Sequence, residues 1–236
     1  MNFSKKTLFY RYNKEDFLKI MQNTPAFFGG SFDPPHPGHL AVAHGALASG
    51  KCSHVIWVPA FAPPHKLNAE RAPFADRMAM IGLIIKEENS MSVSDIESHV
   101  EQRPTYSITI LEAMEKSNGI RPALLIGSDS LCQLHTWHRA EELVKNYTIL
   151  TYPRKDAPVS EELLREHWSL EIVQKLLAGV IPGEFFEISS TEIRKSMEKT
   201  ANEGNIKYMT KTFPEVDAYI REHRLYGKSQ TKDDEL

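Results

Sequence analysis

The stretch Ala26–Leu40, reading AFFGGSFDPPHPGHL, admits few folds. An apolar run ends in Gly29-Gly30, a loop carrying Pro34, Pro35 and Pro37 follows, and His36 and His39 open an Ala- and Leu-rich segment. Phe27 and Phe28 read as the end of a buried strand, and the paired glycines let the backbone turn with no Cβ in the way. The segment Leu40 to Ala48 has the composition of a helix packed closely on a sheet. A strand passing through a glycine turn into a helix N-terminus leaves backbone N–H groups and a helix dipole pointing outward, which is an anion site. Three residues apart at a helix start, His36 and His39 fall on one face and lean over that anion. The alternative is a zinc pair completed by His44 or His54, but no Cys or acidic set stands at ligand spacing.

The rest of the chain alternates in the same way. Strands are expected at His54–Pro59, Met91–Ser94, Ala123–Gly127, Tyr147–Thr151 and Phe185–Ile188. Helices are expected at Arg71–Lys86, Thr105–Ser117, around Leu131–Leu134 and Ala140–Lys145, at Ser190–Lys199 and at Phe213–His223, with Ser94–Arg103 as a polar loop. Glu161–Ala178 reads as one long amphipathic helix containing Trp168. Alternating strands and helices predict an α/β fold, a doubly wound, mostly parallel, Rossmann-like sheet with a small C-terminal helical part. Such sheets bind ligands at the carboxyl ends of their strands, where Gly29-Gly30 and Gly127-Ser128-Asp129 both fall. The expected organisation is an N-terminal extension over 1–24 with a short helix at Asp16–Met21, one domain over 25–227, and a disordered polar tail over 228–236.

Composition removes several classes of function. A formal net charge of −3 leaves no global basic field, so no nucleic-acid partner is expected and any phosphate must be held by local groups. Cys52 and Cys132 are far apart in apolar surroundings and read as reduced core thiols. The first 25 residues carry seven charges and no apolar core of the signal-peptide kind, so the expectation is a cytoplasmic protein with no membrane partner. The acidic end Asp233–Leu236 is read as solvated, and a homo-oligomer is compatible with the sequence.

Two further stretches bear on phosphate. In Ile188-Ser189-Ser190-Thr191-Glu192-Ile193-Arg194, hydroxyl residues cap a helix and Arg194 lies one turn in. Backbone N–H groups, the Ser189, Ser190 and Thr191 hydroxyls and the guanidinium would converge on β- and γ-phosphates. In Pro63-Pro64-His65-Lys66, a proline-stiffened loop holds the Lys66 cation near the strand ends.

Taken together, these segments resemble the nucleotidyltransferase superfamily marked by His-x-Gly-His and Ile-Ser-Ser-Thr-x-Ile-Arg. The form Gly-Gly-Ser-Phe-Asp-Pro-Pro-His-Pro-Gly-His is similar to that of the bacterial nicotinate-mononucleotide adenylyltransferases, and the likeness runs from about 26 to 227. It implies an enzyme of NAD biosynthesis that transfers the adenylyl group of ATP to nicotinate mononucleotide, with Mg²⁺ carried by the ATP and no protein-bound metal. It assigns catalysis to His36, His39, Lys66 and Arg194. ATP would be bound by Gly29, Gly30, Ser31, Phe32, His36, His39, Gly127, Asp129, Ser189, Ser190, Thr191 and Arg194. The acceptor would fall to Lys66, Thr105, Tyr106, Asp129 and Trp137, the tryptophan stacking on the pyridine ring. Ser107 stands where the family usually has Thr, Tyr152-Pro153-Arg154-Lys155 replaces an Arg-Pro-Gly-like turn, and 156–182 is longer than in the family. Two alternatives stay open: another acceptor such as nicotinamide mononucleotide, and a catalytically silent nucleotide sensor.

Overall fold

The structure, a computed structural model, describes residues 24–61, 71–101, 104–119, 121–183, 188–203 and 211–226. At its centre is β1 (Pro25–Gly30), flanked by β2 (His54–Pro59) and β4 (Ala123–Gly127), with β3 (Met91–Val93) and β5 (Ile149–Tyr152) outside them. The order is β3-β2-β1-β4-β5 and every pairing is parallel. The chain therefore winds outward from β1 in one direction, returns, and winds outward from β4 in the other. The crevice between the carboxyl ends of β1 and β4 is the switch point of the sheet.

Alternation along the strands decides which helices cover which face. Ala26 and Phe28, Val55 and Trp57, Ala123 and Leu125 and then Leu150 and Tyr152 point to one side. There they meet α1 (Pro37–Ala48), α2 (Phe74–Ile84), α8 (Ser190–Glu203) and α9 (Pro214–Glu222). Phe27, Ile56, Val58, Leu124, Ile126 and Ile149 point to the other side. They meet α3 (Ser107–Asn118), α4 (Ser128–Cys132), α5 (Ala140–Asn146), α6 (Glu161–Arg165) and α7 (Leu170–Ala178). Both faces are dry, as a parallel sheet requires. The last turn of α7 runs onto β5 so closely that a Cβ at Gly179 would sit 1.9 Å from the Ile149 carbonyl oxygen. Only glycine fits there.

Several expectations are corrected. Glu161–Ala178 is two helices, because Ser169 adopts an extended backbone and its Oγ accepts the Ile172 N–H at 3.4 Å, starting α7 afresh. Trp168 falls in the break, and the bend lets Leu164 of α6 and Val173 and Leu176 of α7 reach one core. The helix expected from Arg71 begins at Phe74, since Pro73 is extended and the Ala72 N–H is spent on Asp33. The loop after β3 contains a single 3-10 turn, Ile96–His99, that buries Ile96 and Glu97. Tyr147 precedes β5 and sends its hydroxyl to Glu115 at 3.1 Å. Ile188 is not in a strand, and the remainder of the strand expected there, 185–187, lies outside the described residues. So do the Asp16–Met21 helix, Lys66, Arg103 and the tail over 228–236. Cys52 and Cys132 are both free thiols. No helix among the described residues is long and apolar enough to cross a membrane.

Candidate active site

The turn out of β1 does not rest on its glycines. Gly29 and Gly30 continue the strand, and the left-handed residue is Phe32, at φ 48°. The glycines supply clearance instead: a Cβ at Gly29 would lie 2.8 Å from the Phe27 ring, and one at Gly30 would lie 2.9 Å from the Phe32 ring. A non-glycine residue in that region costs about 1–2 kcal/mol. The cost is offset by burial of the Phe32 ring, which packs edge-on against Phe28 at 5.2 Å and tilted against Trp57 at 5.0 Å. The same ring lies 5.0 Å from His39 and forms the floor beneath it.

His36 is the extended cap residue of α1, Pro37 starts the helix, and His39 stands one turn in. The two imidazoles stack with centroids 3.7 Å apart and planes inclined by 27°. The backbone N–H of His36 donates to Nδ1 of His39 at 3.3 Å, which leaves the ring proton of neutral His39 on Nε2. Burial, then the charge of Arg154, lower the His36 pKa to about 4. Burial first, then His36 and Arg154, lower that of His39 well below its usual value. Both rings are thus uncharged at neutral pH and act as hydrogen-bonding groups. Nδ1 of His36 is buried without a hydrogen-bond partner among the described residues.

These rings line a cleft of about 760 Å³ at the switch point. One wall is Gly29, Gly30 and the α1 start, the opposite wall is Gly127, Asp129 and Trp137, and Ser189 and Ser190 close the third side. The phosphate signatures of β1 and α8, remote in sequence, therefore share one space. Ser189 Oγ accepts the Glu192 N–H at 3.2 Å and caps α8. Ser190 Oγ donates to the Pro34 carbonyl at 2.9 Å, so the two walls are tied directly.

Other expected site residues are engaged by protein groups. Arg194 donates to the Asp33 carbonyl, in the loop before His36, and faces Asp33 Oδ2 at 3.7 Å. Thr191 does not line the cleft and meets Arg194 at 3.5 Å, while the Ser31 carbonyl is occupied by the buried Arg77 guanidinium at 2.9 Å. Thr105 is buried with its hydroxyl on Glu97, and Tyr106 stacks on His138 at 4.1 Å. The zinc alternative scatters its residues: His44 pairs with Glu88 at 2.9 Å, and His54 bonds Ser92 at the opening end of β2. Among the described residues no three of His, Cys, Asp and Glu are grouped so as to hold a metal.

Arg154 was missed as a site residue. It follows β5, its backbone N–H donates to buried Ser128 Oγ at 2.8 Å, and its guanidinium spans Asp129 at 3.5 Å and Asp156 at 3.7 Å. Its position at a strand's carboxyl end was the available signal, masked by the unfamiliar Tyr-Pro-Arg-Lys context. Removing its charge with Arg154→Gln is expected to raise the titration midpoint of the His36 imidazole above about 4, measured by NMR. An unmoved midpoint would assign the depression to burial alone.

The all-parallel sheet, its switch-point crevice and the paired helix starts define a Rossmann-like α/β protein built to hold a phosphorylated ligand. The chain belongs to the cytidylyltransferase-like family, whose profile matches residues 27–196, and within it to the nicotinate-nucleotide adenylyltransferase group. A protein of Synechococcus sp. (strain JA-3-3Ab) named as a probable nicotinate-nucleotide adenylyltransferase is 35% identical over 206 residues, 87% of this chain and 95% of that one. Its namesake in Coprothermobacter proteolyticus is 33% identical over 208 residues, 88% and 97% of the two chains. The solved Plasmodium falciparum nicotinic acid mononucleotide adenylyltransferase complexed with NaAD shares the fold at a TM-score of 0.64 and 22% identity, over 86% of this chain and 97% of that one.

Proposed function

We propose that the protein transfers the adenylyl group of ATP to nicotinate mononucleotide, giving nicotinate adenine dinucleotide and pyrophosphate. The observation that carries this reading is the shared cleft, in which the His36–His39 face of α1 meets the Ser189–Ser190 start of α8. The acceptor's 5′-phosphate oxygen forms a bond to the α-phosphorus, the α–β bridging P–O bond breaks, and its electron pair leaves with pyrophosphate. No protein nucleophile is required. Neutral His39 offers Nε2–H to oxygens on which charge grows, and the N–H groups of the α8 start receive the β- and γ-phosphates. Thr191 and Arg194 complete that helix start, Arg194 from its seat on Asp33. Lys66 is proposed as a further phosphate contact from outside the described residues. Trp137 provides a flat face for the pyridine ring, and Asp129 an acceptor for a ribose hydroxyl once Arg154 releases it.

Magnesium fits this site as a passenger on the triphosphate. The cleft's carboxylates, Asp129 and Asp156, both face Arg154, so the ion's ligands would come chiefly from phosphate and water. When bound it would neutralise charge on the phosphate oxygens. The reading is tested by pyrophosphate release from ATP with nicotinate mononucleotide, nicotinamide mononucleotide, pantetheine phosphate and a sugar phosphate as acceptors. Release is expected with the nicotinate compound, and less with the amide, because a carboxylate-to-amide exchange turns on a few hydrogen bonds. Nucleotide binding with no release from any acceptor would identify a silent sensor instead.

A further inference from the structure

Side chains from the end of the chain close on the loop that delivers the two histidines. Besides Ser190 and Arg194 of α8, Thr212 Oγ1 donates to the Pro35 carbonyl at 2.9 Å and the Tyr226 hydroxyl donates to Asp33 Oδ1 at 2.6 Å. Asp33 is 1% exposed, and its Oδ1 also accepts the Ala72 N–H at 3.1 Å. Neither Thr212 nor Tyr226 lines the cleft. The backbone nevertheless takes up left-handed conformations to bring the phenol there, at Arg224 with φ 51° and at Tyr226 with φ 61°. Such conformations are strained for non-glycine residues and persist only where surrounding contacts determine them. Burial first, and then Asp33, raise the Tyr226 pKa above its ordinary value, so the phenol stays a donor.

The contacted groups, Asp33, Pro34 and Pro35, are the three residues directly before His36, which caps α1 and gives its N–H to His39. We propose that Thr212 and Tyr226 are positioning residues of the transfer site, two hydroxyls that fix the Asp33–His36 loop so that both imidazoles stand against the reacting phosphate. The proposal rests on the adenylyl-transfer reading of the cleft. The cleft walls from β1, β4 and Trp137 do not depend on these hydroxyls. Their loss therefore displaces the imidazoles while leaving ground-state binding in place.

Tyr226→Phe and Thr212→Val each remove one hydroxyl and keep the side-chain volume. In the full chain, each is expected to lower kcat for pyrophosphate release about tenfold, because a misplacement of about 1 Å at a reacting group can reduce rates up to 10²-fold. The KM for ATP and for nicotinate mononucleotide should stay within about twofold, with the unfolding midpoint well above the assay temperature. The imidazole NMR signals of His36 and His39 should shift in the free variants, while those of His54, at the opening end of β2, stay fixed. Unshifted His36 and His39 signals, or a kcat equal to the parent's, would overturn the proposal. Shifted signals in a protein that releases no pyrophosphate with any acceptor would uphold the clamp and overturn the adenylyl-transfer reading instead.

Discussion

His39→Ala lowers kcat by about 10²–10³-fold, the loss seen when one preorganised donor to a developing oxyanion is removed. The imidazole is held for that task from three sides: the Phe32 ring beneath it, His36 stacked on it, and the His36 N–H on Nδ1, which sends the proton to Nε2. A donor whose orientation is set before the reaction needs no reorganisation as charge appears on the phosphate. The ring's lowered pKa keeps it neutral, so the hydrogen bond, and not a full positive charge, provides the stabilisation. Stability should fall by about 0.5–3 kcal/mol, because the ring's contacts with Phe32 and His36 are lost together with the acceptor for the His36 N–H. Steady-state pyrophosphate release, paired with a thermal melt of the variant, checks both statements. A folded alanine variant that turns over at near the parental rate would remove His39 from the mechanism.

The second large effect is acid lability. His36 and His54 are held uncharged by burial, their pKa values lowered from 6.5 to about 4, and His39 is lowered as well. The unfolded chain, with ordinary histidines, binds more protons than the folded one between these values. Stability therefore rises with pH across that window. The contribution is fully present above about pH 6.5 and is lost progressively as pH falls toward 4. A depression of this size is worth on the order of 3 kcal/mol per histidine, so His36 and His54 alone rival much of the 5–15 kcal/mol total of a typical domain. Urea unfolding at pH 7.5, 6, 5 and 4.5 should show a steep decline in ΔG. His54→Gln should reduce the slope, since His54 lies far from the cleft with Ser92 as its partner. A ΔG unchanged from pH 6.5 to 4.5 would show that these rings are hydrated in the folded state.

The corrections share a cause. The helix split at Glu166–Ser169 was hidden because apolar spacing continues across it, while the serine that restarts α7 reads equally well as a solvated helical residue. Gly29-Gly30 reads as the turn because glycine carries no Cβ, yet the left-handed residue is Phe32, whose ring is buried between Phe28 and Trp57. The motif predicts that Arg194 meets phosphate but does not announce its bond to the Asp33 carbonyl, 161 positions away.

By itself the sequence determined the local units and their order. The parallel sheet, the β1–loop–α1 unit with its paired histidines, and the serine-capped α8 all follow from periodicity, glycine and proline placement and capping, which act over a few residues. Tertiary structure alone decided that Arg154 spans Asp129 and Asp156 beside the histidines, and that Thr212 and Tyr226 hold the loop before His36. Hydrogen bonds and charges between distant segments leave no periodic trace in a sequence. They exist only once burial of the two faces of the sheet has brought those segments together.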